Sequence, residues 1–162
     1  MDQLVEAAFI KAISIENQSL NLYRTMALKA GDARTRKIFE RMAEEESDHL
    51  ESFCRIYPGD ASELLDKIQQ IKMFDNTKCQ YLHDEGTAVT DELKALEFSL
   101  LEEKACMDYY AMFVDVIRDA SIKEVFSKAL TDTRIHLEII SDEYLRLREI
   151  GGREGESVPG GR

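Results

Sequence analysis

Apolar residues recur at spacings of three and four along most of the chain, which is the pattern of amphipathic helices. No stretch shows the alternation of a half-buried strand, and the two prolines, Pro58 and Pro159, interrupt no long periodic segment. The pattern predicts four long helices over residues 3–29, 33–55, 91–118 and 121–149. The long connection after the second helix, with one short helix over residues 61–74, would let the third helix run parallel to the second.

Turn and cap residues mark the predicted helix ends. Gly31 ends the first helix, Asp32 caps the second, and Thr90 caps the third. Gly151 and Gly152 end the fourth helix. The sequence therefore predicts one helical domain over residues 1–150 and a flexible tail over residues 151–162.

The two halves of the chain repeat each other. Residues 1–57 align with residues 88–144 without a gap, at a constant offset of 87. The identities include polar and aromatic residues: Glu16 with Glu103, Tyr23 with Tyr110, Asp32 with Asp119, Phe39 with Phe126, His49 with His136, and Tyr57 with Tyr144. Each half is predicted to be a helical hairpin, and a pseudo-twofold axis should relate the two hairpins. The predicted fold is an all-α antiparallel four-helix bundle.

The composition narrows the class of partner. The chain has 162 residues, enough for one domain with a sizeable core, and a net charge of −11. Such a chain is repelled by nucleic acid and by anionic membrane surfaces, so neither is an expected partner. No signal peptide or membrane span is expected. Three cysteines without a CxxC pair favour a reducing cytoplasm over a disulfide framework.

Acids and histidines within the apolar stripes are the candidate chemistry. Glu16 and Glu103 interrupt the stripes of the first and third helices, and His49 and His136 lie among apolar residues of the second and fourth. Glu46 belongs to an acidic run, which by itself is typical of a solvated face, but it lies one turn before His49. Buried carboxylates need a partner, and carboxylate with imidazole suits iron, manganese or zinc.

The chain resembles the ferritin-like superfamily, and within it the rubrerythrins. The resemblance rests on Ala12–Glu16 through Tyr23, on Ala43–Leu50, and on Ala95–Lys104 followed by Tyr110, and it extends over about residues 3–148.

The resemblance implies a dinuclear, non-haem metal site, usually of iron. Carried over by position, Glu16 and Glu103 would be terminal ligands, His49 and His136 would each bind one metal, and Glu46 would bridge both. The hydroxyls of Tyr23 and Tyr110 could hydrogen-bond to the ligand carboxylates.

Thr133 departs from the rubrerythrin pattern. It stands where the resemblance places a second bridging Glu, three residues before His136. Asp132 is one residue away, which turns it by about 100° around the helix, so we do not expect it to take over as a ligand. Three carboxylates with two divalent ions leave a net charge of +1, and a water, hydroxide or small anion could fill the gap. Alternatively, one metal position is weak.

Cys106 is the second departure. It stands three residues after Glu103, where rubrerythrins that reduce peroxide carry another Glu. It is expected to be a small buried residue, and the alternative is a thiol within reach of the metals. No CxxC pair is present for a rubredoxin-like iron site, so an electron donor would be a separate protein. Rubrerythrin-like bundles usually associate, and a homodimer is therefore expected.

Three functions remain open at this point. The first is a diiron oxidoreductase, a peroxidase or ferroxidase that reduces peroxide or dioxygen. The second is metal binding or iron storage without turnover, for which Thr133 and Cys106 speak. The third is a ferritin-like scaffold that has lost its metals.

Overall fold

The computed structural model describes residues 3–57, 59–60 and 88–155, and these residues form four helices without a strand. The helices are α1 (Gln3–Lys29), α2 (Ala33–Ile56), α3 (Ala88–Val114) and α4 (Ala120–Gly155). The all-α prediction is confirmed. The predicted short helix over residues 61–74 lies outside the described residues.

The ends of α1 and α2 are those that the sequence predicts, to within one residue. Asp32 caps α2, because its carboxylate accepts hydrogen bonds from the backbone N–H groups of Arg34 at 3.0 Å and Thr35 at 2.9 Å. The cap of α3 is predicted wrongly. The helix begins at Ala88, so Thr90 lies inside it, whereas a cap residue has a non-helical backbone.

Helix α3 ends at Val114, earlier than predicted. The chain turns there, because the N–H groups of Val116 and Ile117 both donate to the carbonyl of Phe113. The turn buries Ile117 in the core.

Helix α4 is longer than predicted and continues through Gly151 and Gly152 to Gly155. Glycine lowers helix stability by about 1 kcal/mol relative to alanine but does not by itself end a helix. A glycine stop uses the left-handed conformation, and no described glycine has a positive φ. The predicted domain boundary after residue 150 is therefore not a helix end. Residues 156–162 lie outside the described residues, and the flexible tail stays a prediction.

The four helices pair as two hairpins, with α1 along α2 and α3 along α4. The hairpins meet mainly between α2 and α4. Helices α1 and α3 run antiparallel, since the Tyr109 hydroxyl donates to the carbonyl of Ala8 near one end and the Ser99 hydroxyl lies 3.4 Å from the Met26 sulfur near the other. Helix α2 therefore runs parallel to α3, as the long connection predicts.

Two apolar clusters form the core. One is aromatic and contains Phe9, Phe53, Tyr110 and Phe126. The other contains, among others, Leu20, Tyr23, Phe39, Met42, Leu96 and Ile140. Along every helix the buried acids and histidines of the candidate site fall between the residues of these clusters, so the core surrounds a polar centre.

A polar network fixes the loop between α1 and α2. Glu92 of α3 accepts the backbone N–H groups of Gly31 and Asp32, and Arg146 of α4 contacts Asp32 at 2.6 Å. Arg146 also bonds to the fully buried Glu143 at 2.6 Å. Burial would raise the pKa of Glu143, but the hydrogen bonds and charge of Arg146 hold that pKa below its ordinary value. This end of the bundle is thus stabilised by charge pairs between the hairpins.

The structure also bears on the predictions about membrane spans and cysteines. Among the described helices, none has a stretch long and apolar enough to cross a membrane. Cys54 and Cys106 are free thiols, and Cys79 lies outside the described residues. The cytoplasmic location stays a prediction.

Candidate metal centre

Five acids and histidines from all four helices converge in the middle of the bundle. They are Glu16 of α1, Glu46 and His49 of α2, Glu103 of α3, and His136 of α4, and none is more than 4% exposed. Each takes a buried position of its helix, between the two apolar clusters of the core. The structure thus brings together all five of the metal ligands that the sequence suggests.

The first group that could hold a metal consists of Glu16, Glu46 and His49, whose ligand atoms lie within 4.8 Å of one another. Nδ1 of His49 faces both acids, at 3.3 Å from Oε2 of Glu16 and 3.5 Å from Oε2 of Glu46. The spacing of three residues between Glu46 and His49 places both on the inner face of α2.

The second group consists of Glu46, Glu103 and His136, again with ligand atoms within 4.8 Å. Nδ1 of His136 lies 3.2 Å from Oε1 of Glu46 and 3.5 Å from Oε1 of Glu103. Glu46 therefore belongs to both groups, and each of its two oxygens faces one imidazole. The two imidazole rings are 6.1 Å apart.

The centre fits a metal better than it fits a purely protein network. Among the described residues, Oε2 of Glu16 and Nδ1 of His136 are the buried side-chain atoms without a hydrogen-bond partner. An unpaired buried polar atom costs about 1–3 kcal/mol, more if it is charged. Both atoms point into the groups described above, where a divalent cation would satisfy them.

The protonation of the two histidines responds to the acids around them. Burial alone would lower the pKa of His49, but its close contacts and charge interactions with Glu16 and Glu46 raise that pKa to about 11. Burial would likewise lower the pKa of His136, and Glu103 and Glu46 raise it to about 10. Without metal, both imidazoles therefore carry a proton at neutral pH.

The three carboxylates respond in different directions. Burial, followed by the charge of Glu46, raises the pKa of Glu16, and burial also raises the pKa of Glu103. Burial would raise the pKa of Glu46 as well, but its close contacts with Glu16 and with both imidazoles lower it. Glu46 is thus the acid that stays ionised at the middle of the cluster.

Two tyrosines connect the terminal acids across the hairpins. The Tyr23 hydroxyl of α1 donates to Oε1 of Glu103, and the Tyr110 hydroxyl of α3 donates to Oε1 of Glu16. Both rings are buried, and burial together with the nearby carboxylates raises the pKa of each hydroxyl. The suggestion that these hydroxyls hydrogen-bond to the candidate ligands agrees with these contacts.

A family model, Rubrerythrin, matches residues 9–144 of the chain. This chain belongs to the rubrerythrin family. Comparisons with curated proteins and with solved structures find no match. The family match includes all five residues of the two metal groups, and it agrees with the four-helix bundle.

The Thr133 hydroxyl of this rubrerythrin is bonded within its own helix. The side chain is buried, and its hydroxyl donates to the carbonyl of Ala129 one turn earlier, at 2.8 Å. Its hydrogen is therefore committed to its own helix. Glu46 is the acid shared by both groups among the described residues, and no carboxylate of α4 enters either group.

Cys106 of this rubrerythrin lies near the centre but outside both groups. Burial, followed by the negative charges of Glu103 and Glu16, raises the pKa of its thiol. A protonated thiol is a poor metal ligand. Its sulfur is not among the ligand atoms of either group.

Glu45 was not predicted from the sequence to contribute to the centre, and Asp132 was excluded as a ligand but given no other role. Oε2 of Glu45 lies 2.7 Å from Nε2 of His136, and Oδ2 of Asp132 lies 2.8 Å from Nε2 of His49. Positions 45 and 132 are equivalent in the repeat. The retention of an acid at both positions was the signal that could have identified them.

Proposed function

We propose that this rubrerythrin holds a dinuclear, non-haem iron centre and reduces peroxide or dioxygen. The observation that carries the proposal is the position of Glu46, whose two oxygens face the Nδ1 atoms of two different histidines. A carboxylate in this position can bridge two cations that lie side by side. Zinc or manganese would also suit these donors.

Each residue would have a distinct part in holding the ions. Glu46 would bridge both, Glu16 and His49 would complete the first position, and Glu103 and His136 the second. The hydroxyls of Tyr23 and Tyr110 would orient the two terminal carboxylates, because each is hydrogen-bonded to one of them. Such outer partners fix the direction of a ligand atom before the metal arrives.

Two ferrous ions, when bound, would supply one electron each, which with two protons suffices to reduce one peroxide to two waters. The protein would contribute a dry, prearranged site. The apolar clusters on both sides limit water in the centre, and the buried carboxylates stabilise the higher ferric charge. A separate electron donor would then return the ions to the ferrous state.

Peroxide addition to ferrous-loaded protein tests the activity. The near-ultraviolet spectrum should change within seconds, with about one peroxide consumed for two irons. The Glu46→Ala variant is the control, because it removes the acid shared by both groups. A protein that holds two irons per chain and stays inert toward both oxidants would contradict the proposed reaction.

Thr133 favours a second candidate function, which is metal binding or storage without turnover. Because its hydroxyl is committed to Ala129, two divalent ions would meet three carboxylates only. One of the two positions would then be weaker. Elemental analysis of protein purified without added metal separates the candidates, since one ion per chain and no oxidase activity would favour this one.

A metal-depleted scaffold is the third candidate. It is contradicted if the protein takes up two ions per chain and loses them on substitution of His49.

The predicted homodimer is tested by measuring the molar mass of the protein by light scattering after gel filtration. The exposed apolar side chains of Leu28, Leu101 and Met112 would support such an association.

A further inference from the structure

Each histidine of the centre turns its second nitrogen toward an acid of the opposite hairpin. His49 of α2 contacts Asp132 of α4, with 2.8 Å between Nε2 and Oδ2. His136 of α4 contacts Glu45 of α2, with 2.7 Å between Nε2 and Oε2. The contact thus crosses between the hairpins twice, in agreement with the pseudo-twofold axis.

A base one turn earlier holds each of these acids from the solvent side. Nζ of Lys128 lies 2.6 Å from Oδ2 of Asp132, and Nε of Arg41 lies 2.7 Å from Oε1 of Glu45. Positions 41 and 128 are also equivalent in the repeat. The side chains of Asp132 and Glu45 are 25% and 31% exposed, so both carboxylates sit at the border between the core and the surface.

We propose that Asp132 and Glu45 are positioning residues, each of which fixes the ring of the histidine on the opposite hairpin so that Nδ1 faces the metal. The inference rests on the proposed metal centre. A neutral imidazole has one N–H and one lone pair. If Nε2–H donates to the acid, the lone pair of Nδ1 points to the ion.

The position of Asp132 explains why it does not replace the missing bridging Glu. Its carboxylate is held on the outer side of His49 by that histidine and by Lys128. Asp132 therefore serves the histidine of α2, although it lies on the helix that lacks a bridging acid. Without the acid, the imidazole of His49 would be free to adopt the other tautomer, which places a hydrogen on Nδ1, or to rotate, which turns Nδ1 away from the metal.

Nuclear magnetic resonance of histidine side chains in the zinc-loaded full chain tests the crossed assignment, because zinc is diamagnetic. Asp132→Ala should shift the Nε2–H signal of His49 or broaden it by exchange with water, and leave that of His136 unchanged. Glu45→Ala should do the reverse. Each variant should bind one of the two zinc ions about 10–100-fold more weakly.

The matched controls are the Asp132→Glu variant and alanine variants of two exposed acids. Asp132→Glu retains a carboxylate, as the equivalent position 45 does, and should restore the His49 signal. Glu44→Ala and Asp142→Ala, on the exposed sides of α2 and α4, should leave both signals and both affinities unchanged.

The outcomes separate this inference from the proposed function. If the wild-type protein binds two zinc ions and the signals do not respond in the crossed manner, the positioning role is wrong and the metal centre stands. If the wild-type protein takes up no zinc, the metal centre fails, and the positioning role fails with it.

Discussion

The two hairpins contribute unequally to a centre that is otherwise symmetric. The first hairpin supplies two acids, Glu16 and Glu46, whereas the second supplies Glu103 and has Thr133 at the position equivalent to Glu46. The histidines, the tyrosines and the outer acids are retained on both sides. The difference teaches that the bridging position, and not the surroundings of either ion, is where the halves have diverged.

Glu46 should therefore be the most sensitive residue of the centre, and its replacement is the strongest way to break the comparison. Glu46→Ala removes a donor from both groups at once, so both ions should be lost together, with affinity reduced by more than about 100-fold. Metal content after gel filtration measures the loss. Glu44→Ala is the control, because Glu44 belongs to the same acidic run of α2 but is exposed to solvent.

Loss of one ion only from Glu46→Ala would mean that the halves bind independently. The presence of Thr133 in place of an acid would then not affect the ion held by Glu16 and His49.

The pH dependence of metal binding should be the next largest effect. The pKa values of about 11 for His49 and about 10 for His136 lie above the ordinary value, so a proton must leave each imidazole when an ion binds Nδ1. Proton competition weakens binding as the pH falls, by about tenfold per pH unit for each proton released. Calorimetry at pH 7, in buffers of different ionisation enthalpy, should show release of at least two protons for two ions, one from each imidazole and any further ones from Glu16 and Glu103, whose pKa values are also raised.

The folding stability of the metal-free protein depends on pH in the opposite direction, because it falls as the pH rises. A raised pKa means that each charged imidazole stabilises the fold fully below its ordinary pKa of 6.5, and that this contribution is lost steadily as the pH rises from there to about 10 to 11. Metal-free protein that gains stability between pH 7 and pH 10 would contradict the charged state of the two imidazoles.

Restoring the missing acid sharpens the comparison. Thr133→Glu would give four carboxylates for two divalent ions and neutralise the remaining positive charge. We expect the second ion to bind about tenfold more tightly, and the metal-free protein to lose about 1–3 kcal/mol because a further acid is buried. Metal titration and urea unfolding, each with and without metal, measure the two effects.

A Thr133→Glu variant that binds both ions no more tightly would mean that the fourth carboxylate cannot reach the centre from α4. Thr133→Val is the matched control, since it removes the hydroxyl and adds no charge.

The tyrosines should show the smallest effect and equal effects in both halves. Tyr23→Phe and Tyr110→Phe each remove one buried hydrogen bond to a terminal acid of the other hairpin. Each should lower the free energy of unfolding by about 1 kcal/mol, as measured in urea. Clearly unequal costs would show that the halves differ beyond the bridging position.

Periodicity and the internal repeat were sufficient to predict the bundle and the five residues of the centre. Helix phase places Glu46 and His49 on one face, and the offset then relates His49 to His136. The contacts of Glu45 and Asp132 were harder to predict, because each side chain lies at the edge of an inner face and reaches a partner on the other hairpin. The phase of a helix shows on which face a residue lies, but it does not show whether the side chain reaches a partner on another helix.

The polar network at the loop between α1 and α2 could not be predicted for a related reason. Arg146 and Asp32 are far apart in the chain, the position equivalent to Glu92 in the first half is Val5, and Arg146 lies beyond the aligned residues 88–144. The repeat therefore gave no indication of this network. Helix ends were also uncertain, since Gly151 and Gly152 continue α4 where a left-handed stop was expected.

The crossed contacts between histidines and acids make half a molecule chemically incomplete. One hairpin alone contains a histidine whose outer acid belongs to the other hairpin, and it can acquire that acid only by pairing with a second copy. Two identical copies of the first hairpin would supply a Glu46 each, and hence four carboxylates around one centre. The whole chain thus contains, in one molecule, the two facing halves that a centre of this kind requires.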